Sequence, residues 1–282
     1  HLLMKTKIRN NIFFKYLKEY KILKFKTCFI FFLLCINNNS ALATSYFSAS
    51  KLLKNIINKD DPTTYKDLNF IKKKQSKSFD KRYGEEMYTA TFFIFEAKYE
   101  IGNDVQILVN SEFGSHENIA EVAIKYSKML GKLPIFFRKE LKWIIIHGPW
   151  VDKSKCTCRW YAFRNEGVYI HTEMVNEEAE QEVLIHELAH VTIDPLYYNS
   201  VNEIIWTNAQ KQDVKSISRY AESNPLVEDI AESVVAWVAV RCKKDKISKK
   251  KYKMIINTIP NRLTVLDDLI FRNSQYPLIC KK

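Results

Sequence analysis

The chain has no long hydrophobic run. Its most apolar stretch, Cys28-Phe29-Ile30-Phe31-Phe32-Leu33-Leu34-Cys35-Ile36, is shorter than the roughly 20 residues a membrane span needs. It also carries no zinc-finger, RNP or helix-turn-helix pattern, and the Lys-rich runs at 72–74 and 249–251 read as solvated surface. The formal charge of +12 is therefore no sign of a nucleic-acid partner. Residues 1–43 supply +7 of it through eight Lys/Arg and one Glu, and the rest of the chain is nearly balanced, with 36 bases against 31 acids.

The basic start has its own explanation. Lys21, Lys24 and Lys26 precede the apolar run, polar Asn37 to Ser40 follow it, and Ala41-Leu42-Ala43 completes the pattern of a secretory signal peptide. Cleavage is expected after Ala43, which makes the mature protein secreted, extracellular or periplasmic, with no stable membrane span. An uncleaved anchor and lipidation of Cys35 stay open as alternatives, and Met4 is the expected true start.

Cysteine is scarce. After cleavage four remain, Cys156, Cys158, Cys242 and Cys280, an even number that implies two disulfides in an exported chain. A bridge between Cys156 and Cys158 would strain the bond geometry, so each is expected to pair with Cys242 or Cys280. A Cys-x-Cys metal site is the rival reading.

The 282 residues, 46% of them hydrophobic, can bury a full core, so one enzyme-sized domain is the simplest expectation, as a monomer. Residues 44–86, rich in Lys, Asn, Ser and Asp, read as a basic linker or pro-segment. From 87 to 282 the texture is that of a folded domain. Thr91–Phe95 and Val105–Val109 flank Gly102-Asn103 as an antiparallel hairpin. A helix is expected over His116–Leu130, a buried strand over Leu141–His147, and an edge strand over Gly167–Thr172 in which His171 is a possible site residue.

The chain's chemistry concentrates in Val183-Leu184-Ile185-His186-Glu187-Leu188-Ala189-His190, an HExxH pattern. On a helix, His186 and His190 share a face, one turn apart, and both rings can reach one metal ion. Glu187 is rotated away and suits a general base. Asn176 as cap, the acids Glu177, Glu178 and Glu180 in the first turns, and an apolar stripe from Val183 to Val191 support the helix. Asp194 lies one turn beyond His190 and is expected behind the ligands or at the helix end, where Pro195 closes the segment. A third ligand is sought in Asn224-Pro225-Leu226-Val227-Glu228-Asp229-Ile230-Ala231-Glu232, read as a helix starting at Asn224. There, Glu228 and Glu232 share a face, so that one binds metal while the other accepts a ring N–H.

HExxH followed by E-x-x-x-E on a second helix resembles the gluzincin metallopeptidases. Ile217-Ser218-Arg219-Tyr220-Ala221 ahead of Asn224-Pro225 is similar to the lethal-factor type. The strand Ile170-His171-Thr172, the span His186 to Asp194 and the segment Tyr220 to Glu232 resemble an exported, largely uncharacterised zincin-like family. The resemblance covers about residues 90–270. It implies an α+β zincin-like domain with a small mixed or antiparallel sheet, an active-site helix and a C-terminal helical part. It further implies one Zn2+ held by His186, His190 and Glu228, Glu187 as general base, Glu232 behind the ligands, and Tyr220 as a donor to the oxyanion. The expected function is hydrolysis of peptide or protein substrates; the alternative is an exported zinc-binding or toxin-like module without turnover.

Overall fold

Gly102 has φ +83°, a left-handed conformation that favours glycine, and around it the chain reverses from β2 (Met87–Tyr99) into β3 (Val105–Asn110). The two strands pair antiparallel, with Phe93 opposite Val109 and Phe95 opposite Ile107, which is the expected hairpin. The computed structural model describes residues 53, 56–58, 60–83, 87–149, 160–172, 177–197, 201–213 and 215–273. They form a mixed α+β fold on one six-stranded sheet, in spatial order β1-β2-β3-β4-β6-β5.

The first strand corrects the reading of 44–86 as linker. β1 (Tyr65–Phe79) is a 15-residue edge strand paired antiparallel along β2, and Leu53, Ile56 and Ile57 before it are buried in the core. Its lysines hide it from a pattern search. Lys72, Lys73 and Lys74 lie exposed on an open edge, where charge discourages pairing with other chains.

β4 (Trp143–His147) runs parallel to β3, and β6 (Gly167–His171) runs parallel to β4. Gly167 sits opposite Trp143, and a Cβ there would lie 2.2 Å from the Trp143 carbonyl oxygen, so glycine is needed for the close approach. A second correction concerns β6. All five of its residues are buried, and it is interior, because β5 (Trp160–Phe163) adds outside it as the antiparallel edge.

The main core fills one face of the sheet. Phe95, Ile107, Val109, Ile144, Ile146, Val168 and Ile170 meet helices there, while Phe92, Ile94, Ile145 and Tyr169 form a smaller cluster on the other face. α1 (His116–Gly131) starts at Ser115, whose side chain accepts from the Asn118 amide, and buries Ile119, Ala123, Tyr126 and Leu130. α2 (Glu177–Thr192) lays Leu184, Ile185, Leu188 and Val191, all fully buried, against the same layer. Truncating one such residue to Ala costs about 2–5 kcal/mol, which indicates how firmly the histidine-bearing helix is seated. α3 (Asp194–Tyr197) and α4 (Val201–Asp213) lead to α5 (Arg219–Ser223). α6 (Asp229–Cys242) is buried from Asp229 to Val240, as an all-round hydrophobic helix in the centre of a domain must be. α7 (Lys249–Thr258) and α8 (Pro260–Asn273) close the fold, with Asp267 of α8 accepting from Trp237 and Arg241 of α6.

α6 starts later than expected. Asn224 closes α5 instead of opening a new helix, and residues 224–228 form turns in which the Val227 and Glu228 amides both donate to the Asn224 carbonyl. Glu228 is thus the residue that caps α6, and its carbonyl accepts from the Glu232 amide at 3.0 Å. The expected cap Asn176 lies outside the described residues. So do Cys156, Cys158 and Cys280, and with them the expected pairing; Cys242 is the last residue of α6.

Candidate metal centre

One turn of α2 separates His186 from His190, and α6 packs alongside with Glu228 at its start. The result is a triangle. His186 Nε2 and His190 Nε2 are 3.1 Å apart, and Glu228 Oε2 lies 3.1 Å from each. The three side chains are 13–15% exposed, so the triangle opens to solvent without being surrounded by it.

The outer nitrogens fix what the inner ones can be. His186 Nδ1 is 3.0 Å from Glu232 Oε1, and His190 Nδ1 is 2.6 Å from Asp194 Oδ2. An ionised carboxylate only accepts, so each Nδ1 carries hydrogen and donates, leaving each Nε2 with a lone pair turned inward. Three acceptors then face one another at hydrogen-bond distance, an arrangement that needs a proton or a cation at its centre. The spacing is close to the edge of about 3.3 Å in a tetrahedron with metal–ligand distances of about 2.0–2.1 Å. Two imidazoles and one carboxylate suit a borderline divalent ion, and these three residues are the one such group of His, Cys, Asp and Glu found among the described residues.

The charge balance points the same way. Burial pushes the His190 imidazole down, but Asp194 and Glu228 beside it raise it to about 10. Burial likewise opposes charge on His186, yet Glu228 and Glu232 hold it well above its ordinary value. Burial pushes the Glu228 carboxyl up, and the two histidines hold it well below the usual carboxylate range. The metal-free site therefore has an excess of negative charge and draws in protons, and a divalent cation answers the same excess.

Glu187, next along α2, is partly buried. Tyr220 on α5 has its ring 6.2 Å from the His186 ring. Asp229, adjacent to Glu228, is fully buried and takes hydrogen bonds from Trp206, Gln210 and Arg262, which pins the start of α6 and with it the Glu228 carboxylate. Three residues near the site had been given no role from the sequence. Ser218 donates to Glu232 Oε2 at 2.5 Å; Arg164 approaches Asp194 at 3.8 Å; and Glu182, one turn before His186, is buried with neither carboxyl oxygen hydrogen-bonded among the described residues. Burial, then the charge of Glu232, pushes Glu182 up to about 8. Its spacing, i−4 from His186, was the available signal.

His171 is not part of this centre. It stands beside His147 at the ends of β4 and β6, and its Nε2 lies 2.9 Å from Asp80 Oδ1. Arg82 pairs with Asp80 at 2.7 Å and with Glu112 at 2.7 Å, and Glu112 accepts from the Gly148 amide at 2.6 Å. This second cluster ties the turn after β1 to the sheet.

No family model, no curated protein and no solved structure matches this chain.

Proposed function

We propose that the chain is a secreted zinc metallopeptidase with a gluzincin-type site on a zincin-like domain. The reading is carried by the triangle of inward-facing acceptors on His186, His190 and Glu228, each ring backed by its own carboxylate. Three protein ligands describe an open site, whereas structural zinc sites are usually closed by four. Zinc in such a site acidifies a water and withdraws charge from a carbonyl oxygen. Glu187 would serve as general base toward the attacking water and would return the proton to the departing amine nitrogen. Tyr220 donates to the oxyanion as it develops. Glu232 and Asp194 hold the Nδ1 protons, keeping both Nε2 lone pairs available throughout. Secretion rests on the amino-terminal sequence pattern; among the described residues no helix is long and apolar enough to cross a membrane.

The test is Glu187→Gln, assayed on a mixed peptide library with zinc content measured in parallel. Hydrolysis is expected to fall by about 10²–10⁴-fold with zinc retained. Undiminished cleavage in the zinc-loaded variant would overturn the mechanism, and a wild-type protein that binds zinc yet cleaves nothing would favour the non-hydrolytic module.

A further inference from the structure

We propose that Ser218 is a positioning residue of the metal centre, coupling the ligand His186 to the helix that carries Tyr220. The inference rests on the metal-site reading above and assigns a role to a residue the HExxH and E-x-x-x-E motifs do not include.

Ser218 precedes α5 with φ −144° and ψ 162°, the extended backbone of an N-cap, and its Oγ accepts from the Ala221 amide at 3.1 Å. The hydroxyl hydrogen is left for a second partner. Glu232 Oε2 lies 2.5 Å away, a short contact of the kind made when a hydroxyl donates to an ionised carboxylate. The other oxygen of the same carboxylate, Oε1, receives the His186 Nδ1 hydrogen at 3.0 Å. The four groups form one polarised series: the Ala221 N–H donates to Ser218, whose O–H donates to Glu232, which also accepts from His186. Ser218 is 8% exposed and Glu232 6%, so water has little access to replace a lost link.

Two consequences follow from the direction of these bonds. Glu232 holds its acceptor oxygen steadily on the His186 ring N–H when its other oxygen is also hydrogen-bonded and its carboxylate plane is thereby fixed. Ser218 does both with one bond. The same oxygen anchors the first turn of α5, where Tyr220 is the second residue, and the Tyr220 ring stands 6.2 Å from that of His186. A single hydroxyl therefore sets the orientation of one ligand and the approach of the side chain proposed to meet the oxyanion. His190 is arranged differently, since its carboxylate, Asp194, comes from just beyond the end of α2 itself.

A plain helix cap would explain the Ala221 bond but not the Glu232 bond, and three variants separate the two. Ser218→Thr keeps the cap and the donor. Ser218→Gly removes the donor while remaining an acceptable cap residue, and Ser218→Ala removes both. Each is titrated with Zn2+ alone against a chromophoric chelator, and the His186 Nδ1–H is followed in the metal-free protein by long-range 1H–15N correlation on 15N-histidine. The inference predicts zinc affinity weakened about 10–100-fold in both the Gly and Ala variants, restored in the Thr variant, with the His186 nitrogen shifts displaced only where the donor is missing. If the Gly variant binds zinc within about twofold of wild type and its His186 shifts are unchanged, Ser218 is a cap and nothing more, whatever becomes of the Ala variant. A wild-type protein that binds no zinc would instead overturn the metal-site reading itself.

Discussion

His147 and His171 are more deeply buried than His186 and His190, and they too stand beside acids, yet the two clusters are built for different ends. Around His147 and His171 the negative charge is already answered: Arg82, half-buried, pairs with both the buried Asp80 and the exposed Glu112. Around His186 and His190 three carboxylates gather, and among the described residues no lysine or arginine pairs with Glu228 or Glu232. The first cluster points its hydrogen bonds from one group to the next. The second points three lone pairs at a common centre. The same residue types make a latch closed by Arg82 in one place and the proposed cation site in the other, where among the described residues Glu228 and Glu232 have no guanidinium partner.

The comparison is broken most severely by Asp80→Ala. Removing the shared acceptor leaves Arg82 and His171 without their buried partner, and stability should fall by about 3–5 kcal/mol in denaturant unfolding, with zinc stoichiometry unchanged. Glu112 remains to hold Arg82, so a fall well below that range would show that Glu112 carries the latch.

His147 and His190 should also respond to pH with opposite signs. Burial pushes His147 down from 6.5 to about 4. Its unfolded form takes up a proton below pH 6.5 while the folded form stays neutral, so stability drops as pH falls from 6.5 towards 4, by up to about 3 kcal/mol. His190 is raised to about 10, so in the metal-free protein its contribution is complete below pH 6.5 and is lost as pH rises through 10. Unfolding midpoints of metal-free protein across pH 4 to 10 should fall on both sides, with zinc abolishing only the alkaline decline. A single monotonic slope would contradict the contrast.

A smaller effect sharpens it. Zinc at 100 times its dissociation constant should stabilise the wild type by about 2.7 kcal/mol. The same addition should stabilise a Glu228→Ala protein far less, and should act in full on His171→Ala, read by thermal shift.

The triangle of His186, His190 and Glu228 was legible in the sequence because its parts obey local rules. HExxH fits the period of an α-helix, and the spacing of Glu228 to Glu232 puts two acids on one side of the next. What was not legible depended on contacts between distant segments. Ser218 reaches Glu232 across two helices, and His171 meets Asp80 from 91 positions away. β6 looked like the edge because it comes directly before α2, but chain order says nothing about which strand lies outermost, and β5 lies beyond it. β1 failed the alternation test because an edge strand with both faces largely in water can be written in lysine. Asn224-Pro225 has the residues of a helix start and of a turn alike, and the carbonyl of Asn224 chose the turn.

Metal analysis of the purified protein, dialysed against buffered zinc, with Glu228→Ala and His171→Ala beside it, addresses the triangle directly. One zinc per chain is expected in the wild type and in His171→Ala, and a substoichiometric, weakly held amount in Glu228→Ala. Equal zinc in all three, or none in the wild type, would contradict a cation held by His186, His190 and Glu228.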